Sequence, residues 1–177
     1  LISDRAGRTT GARRPLRIGV IGSATADAES WATAHAVGRA LARAEALLVC
    51  GGGGGVMAAA AEGACQERGE VLGLLPGDDP EDAAEGVSIP IPTGIGEARN
   101  FLVVRASEAV IAVAGGWGTI NEAAHCMKIG RPLVGVRDSL GEKFDIERFD
   151  DPAAAVARAL ELATEWRSDP RFGHVTR

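Results

Sequence analysis

Ala46-Leu-Leu-Val-Cys50, then Gly51-Gly-Gly-Gly-Gly55, then a small-residue stretch from Val56 to Gln66 decides the reading of this chain. The apolar run reads as a buried strand and the small-residue stretch as a helix. A strand that ends in bare backbone and turns into a helix presents unpaired N–H groups at the helix start. With no side chains in the way, a phosphate can approach those donors, and the helix dipole favours its negative charge. A flexible linker has similar composition but is not normally wedged between a strand and a helix.

A second loop repeats the pattern. Ala109-Val-Ile-Ala-Val113 reads as a buried strand, followed by Ala114-Gly-Gly-Trp-Gly-Thr119 and a helix to about residue 129. Working outward, the pattern places further strands at 16–21, 70–75 and 132–136. Residues 87–91 read as a weaker strand, which Pro90 and Pro92 confine to an edge. Helices are expected at 28–44, 56–67 and 96–107, and from Asp151-Pro152 onward, with Asp27 and Asp151 as N-caps. Alternating apolar strands and helices imply an α/β fold: one doubly wound, mainly parallel, Rossmann-like sheet with helices on both faces. Ligands in such folds bind beyond the strand carboxyl ends, so the loops at 22–26, 51–55 and 115–119 should gather there. Strand 109–113 should lie beside 16–21, with 46–50 and 70–75 on the other side.

At 177 residues the chain reads as a single domain over 16–166, with a basic, disordered tail at 1–15 and a C-terminal tail at 167–177. Apolar residues make up 46 % and aromatics only 4 %, which suits alanine-rich helices packed closely on a sheet. The net charge is −5; four arginines against Asp4 give the first fifteen residues +3 and leave −8 on the remainder. An acidic body argues against a nucleic-acid partner. No apolar run approaches the ~20 residues of a membrane span. The tail lacks the apolar core of a secretory signal. Cys50, Cys65 and Cys126 have no metal-like spacing and read as small buried residues in a reducing compartment. The expectation is a cytoplasmic protein with no metal site.

The glycine loops match neither common phosphate signature. No lysine follows Gly55, as a P-loop requires, and Gly22-Ser23 opens no G-x-G-x-x-G. Lys128 and Lys143 are the only lysines and neither is placed for a Schiff base, so a lysine decarboxylase is excluded. Arg99, in the first turn of the 96–107 helix, opposes the dipole and reads either as an anion ligand or as a solvated partner of Glu97. Thr119-Ile-Asn-Glu122 fits a capping box, yet a glutamate one turn above a phosphate loop could also serve a ligand. Both readings of Glu122 stand. Glu122-x-x-His125 has metal-pair spacing without the required second copy. Trp117 is placed to cover a flat ring; Trp31 and Trp166 read as packing residues.

Gly51-Gly-Gly-Gly-Gly-Val-Met57 with Gly63-Ala64, Leu75-Pro-Gly77, Gly94-Ile-Gly-Glu-Ala-Arg-Asn100 and Gly115-Gly-Trp-Gly-Thr119 with Glu122 resemble the LOG superfamily, long labelled lysine decarboxylases. The resemblance runs from about residue 16 to 137. It implies a homodimer or higher homo-oligomer that binds a phosphorylated small molecule. The implied ligand-binding residues are Gly22, Ser23, Gly52, Gly53, Gly54, Gly55, Val56, Met57, Arg99, Asn100, Gly115, Gly116, Trp117, Gly118, Thr119 and Glu122. In the phosphoribohydrolase branch, Arg99 and Glu122 would be the catalytic pair. Ala114, Asn121 and Asn100 depart from that branch's pattern. The stretches Leu75 to Asp79 and Ile89 to Arg99 look closer to molybdenum-cofactor carriers, which implies a bound phosphate-bearing pterin without turnover.

Overall fold

The computed structural model describes residues 14–137, 139–141 and 144–171. The expected tail up to residue 13, Lys143 and residues 172–177 lie outside them. In chain order the elements are β1 (Arg17–Gly22), α1 (Ala28–Arg43), β2 (Leu47–Cys50), α2 (Val56–Gln66), β3 (Val71–Leu75), β4 (Ile89–Pro92), α3 (Asn100–Ala106), β5 (Ala109–Ala114), α4 (Trp117–Ile129), β6 (Leu133–Val136), β7 (Glu147–Phe149) and α5 (Pro152–Ser168). The strands form one sheet in the order β4-β3-β2-β1-β5-β6-β7, with every described pairing parallel. The chain winds outward from β1 to β4, then returns to place β5 beside β1. That return creates the crevice in which open α/β sheets accept ligands.

Side chains alternate across the two covered faces. Ile18 and Val20 of β1 and Ile111 of β5 pack with α1, α2 and α5, whereas Ile21, Val110 and Ala112 pack with α3 and α4. Two of the helix starts work as the sequence predicts. Asp27 accepts the Ser30 N–H at 2.8 Å, and Asp151 accepts the Ala153 N–H at 3.1 Å ahead of Pro152. Pro90 and Pro92 sit on edge strand β4, where a missing donor costs least.

Three expectations change. The 96–107 helix is a 3₁₀ turn over Gly96–Arg99 that runs into the short α3. A three-residue strand, β7, was invisible because so short an edge segment buries too little to pattern its sequence. Cys65 is exposed, although Cys50 and Cys126 are buried as expected; all three are free thiols.

Beneath the sheet, at its far end from the glycine loops, buried Glu108 ties the fold together. It accepts the Arg17 backbone N–H at 2.9 Å and the Arg167 guanidinium at 2.7 and 2.5 Å. Burial alone would raise its pKa, but the hydrogen bonds from Arg167 and Arg17 outweigh it and the carboxyl is held below its ordinary range. Arg167 also donates to the carbonyls of Arg14 and Pro15, closing α5 over the start of β1.

Helices α1 and α2 touch backbone to backbone. A Cβ on Gly38 would collide with the Ala60 carbonyl, and one on Gly63 with the His35 carbonyl. Neither contact can relax by rotating a side chain. Gly38→Val is therefore expected to cost about 1–3 kcal/mol or more of overpacking strain, read as a lower denaturation midpoint by circular dichroism.

Candidate functional site

A cavity of about 250 Å³ opens at the crevice between β1 and β5. Val20 to Ala24 form one wall, Gly51 and Met57 another, Glu97 to Asn100 a third, and Gly116 to Thr119 with Glu122 the last. All three predicted loops therefore meet at one end of the sheet. Hydrogen bonds hold them there: the Ser23 N–H donates to the Ala114 carbonyl and the Val56 N–H to the Ser23 carbonyl, each at 3.0 Å.

Of the residues named from sequence, Gly22, Ser23, Met57, Arg99, Asn100, Gly116, Trp117, Gly118, Thr119 and Glu122 line this cavity. Gly52, Gly53, Gly54, Gly55, Val56 and Gly115 are not among its lining residues. For Gly52 and Gly55 the reason is close packing within the protein, whereas Gly54 is exposed outside the cavity. A Cβ on Gly51 would overlap the Arg99 guanidinium, and one on Gly52 would strike Leu75. Gly55 has φ +61° and lies against the Ser23 carbonyl. Gly51 and Gly55 thus let Arg99 and the β1–α1 loop settle onto the end of β2. One donor expected to face an anion, Val56 N–H, is spent on Ser23.

The second loop remains open. Nothing in the protein lies within 4 Å of where a Cβ on Gly116 would sit, and Gly116 caps α4 without a side-chain hydrogen bond. The first N–H groups of this helix are left for another acceptor. Arg99 stands opposite, 7 % exposed, and its buried Nε has no hydrogen-bond partner. Trp117 is 83 % exposed at the rim.

The capping box does not form. Helix α4 begins at Trp117, so Thr119 is its third residue and Glu122 its sixth, 6 % exposed. The glycine turn ends two residues earlier than the capping pattern implied. Among the described residues no ion pair joins Glu122 or Glu97 to Arg99. Burial pushes the Glu122 carboxyl up to about 7; the Arg99 charge opposes the rise and Glu97 adds to it. The neighbouring thiols Cys50 and Cys126 are also pushed up by burial, to about 11 and about 12.

Glu97 was singled out only as a partner for Arg99, yet it lines the cavity. Its place in Gly94-Ile-Gly-Glu-Ala-Arg-Asn100, two residues before Arg99, was the available signal. His125 points elsewhere, packing edge-on against Phe101 at 4.7 Å between ring centres. Among the described residues no group of three potential metal-ligating side chains occurs. Nor is any helix there long and apolar enough to cross a membrane.

The fold and its crevice define a Rossmann-like α/β protein with a polar cleft at the switch point of its sheet. The chain belongs to the SLOG cluster4 family, whose model matches residues 15–164. It is 40 % identical over 124 residues to an uncharacterized protein of Archaeoglobus fulgidus, covering 69 % of this chain and 80 % of the relative. It is also similar in structure to the molybdenum cofactor binding protein of Rippkaea orientalis. That match has a TM-score of 0.77 and 29 % identity, over 89 % of this chain and 100 % of the other. The molybdenum cofactor carrier protein of Chlamydomonas reinhardtii matches with a TM-score of 0.73 and 30 % identity, over 85 % and 99 %.

Glu122 makes stability depend on pH. Between the ordinary glutamate pKa and about 7, the unfolded chain releases a proton that the folded protein keeps. Stability is therefore fully present below that window, falls as pH rises through it, and levels off above 7. Glu122→Gln should remove the loss, gaining about 2–3 kcal/mol on wild type between pH 5 and pH 8. Urea denaturation of both proteins at the two pH values reads this difference.

Proposed function

We propose that the cleft binds a phosphate-bearing small ligand, a nucleotide or a pterin such as the molybdenum cofactor, and holds it without turnover. The observation that carries this reading is the Arg99 guanidinium, buried over Gly51 with an unsatisfied Nε beside the uncapped start of α4. A buried, unpaired cation is costly unless an anion meets it. A phosphate set between Arg99 and the first N–H groups of α4 would satisfy both. Asn100 and Ser23 line the same space, and Trp117 at the rim can cover a flat ring. Similarity to molybdenum cofactor carriers supports a pterin as the ring.

Hydrolysis of a nucleoside 5′-monophosphate is the competing reading. It draws on Glu122, because a carboxyl that titrates near 7 is suited to general acid catalysis. Mass spectrometry of small molecules released from the purified protein separates the two. A bound pterin supports the carrier. Adenine and ribose phosphate appearing on incubation with AMP, and lost in Glu122→Gln, support the enzyme. In either case Arg99→Ala should weaken phosphate-ligand affinity about 10- to 100-fold, the loss of a charged hydrogen-bond donor.

We also propose that the protein works as a homodimer or higher homo-oligomer. On the α3–α4 side of the sheet, Phe101 is 41 % and Met127 51 % exposed, with Leu102 close by. A second copy covering this face would bury them. Light scattering should report at least twice the chain mass, and Phe101→Asp with Met127→Asp should reduce it to the monomer.

A further inference from the structure

We propose that Glu122 enters the complex as the neutral acid and donates a hydrogen bond to the ligand, so that binding a phosphate dianion takes up one proton. The inference rests on the phosphate reading of the cleft and names how that site discriminates. Its ground is geometric. Glu122 lies five residues along α4 from its first residue, Trp117, a rise of roughly 7.5 Å, and it lines the same cavity as Gly116 to Thr119 at the start of that helix. It lines the cavity, is almost wholly buried, and makes no hydrogen bond to any described residue. Arg99 faces the same space without pairing to it, and Glu97 adds a second carboxylate to the wall.

As a carboxylate, Glu122 would oppose the incoming phosphate at close range in a poorly solvated cleft. As an acid it loses that repulsion and gains a donor. The proton comes from solvent and rests on a Glu122 carboxyl oxygen. The ligand then has to present an acceptor beside its phosphate: a phosphate oxygen, a ring carbonyl or an imine nitrogen.

The other groups that face Glu122 do not reproduce this behaviour. Arg99 is a guanidinium, a donor that offers no acceptor for a proton. Cys50 on β2 and Cys126 on α4 are held as thiols well above neutral pH, and Glu97 is exposed. Glu122 is thus the group whose protonation a phosphate ligand would control.

AMP is a suitable probe above pH 7.5, where its phosphate is already dianionic. Calorimetry in buffers of different ionisation heat should show uptake approaching one proton per AMP at pH 8. Affinity should fall up to about tenfold per pH unit above 7.5. Glu122→Gln should bind with less than twofold change across the same range and take up no proton, whereas Glu97→Gln should keep the dependence. AMP binding that is independent of pH, or a dependence that survives in Glu122→Gln, overturns this inference and leaves the phosphate site standing. Absence of AMP binding at every pH overturns this inference, and the phosphate reading is then judged by whether the purified protein releases a phosphate-bearing pterin.

Discussion

The Arg99 guanidinium occupies the space that a side chain at position 51 would take, and the site is organised around that substitution of one group for another. Because Gly51 has no Cβ, a long cation from the 3₁₀ turn before α3 can lie across the carboxyl end of β2. Its charge then sits in the crevice between the two halves of the sheet, not in solvent. The β1–α1 loop closes over the same glycines, with Ser23 bound to both Val56 and Ala114. Three loops far apart in sequence are thereby locked around one cavity. A larger residue at 51 would displace the cation and disturb each of them.

The sheet was legible because its central strands are apolar throughout and α1 and α5 carry readable aspartate caps. Strand order followed from the return of β5 to β1, and Pro90 and Pro92 marked the edge. The site was legible at a coarser level. Both glycine loops do reach one cleft, but they serve it differently, and composition does not separate the roles. Five glycines in a row look the same whether they admit a ligand or a neighbouring guanidinium. In the structure the first loop mainly admits Arg99, Leu75 and the Ser23 carbonyl, while Gly116 in the second stays open. Glu122 was ambiguous for a related reason. A capping box is a local pattern, and the frame of α4 is set by where the glycine turn ends, a matter of three-dimensional packing.

Glu122 and Arg99 share a cavity wall without forming an ion pair, and that separation explains how the cleft can serve an anion. Had the two paired directly, the guanidinium would be neutralised and its donors consumed. Kept apart, with Glu122 held near its neutral form by burial, the cavity keeps an unpaired guanidinium for an anion at the helix start. The costs of burying a cation and of raising a carboxyl are borne by a scaffold secured elsewhere. At the other end of the sheet, Glu108 gathers Arg17 and Arg167 and is fully hydrogen-bonded, with its pKa shifted the opposite way. Two buried glutamates in one small domain therefore have opposite electrostatics. The one saturated by arginines stabilises the fold, and the one left without partners faces the cleft.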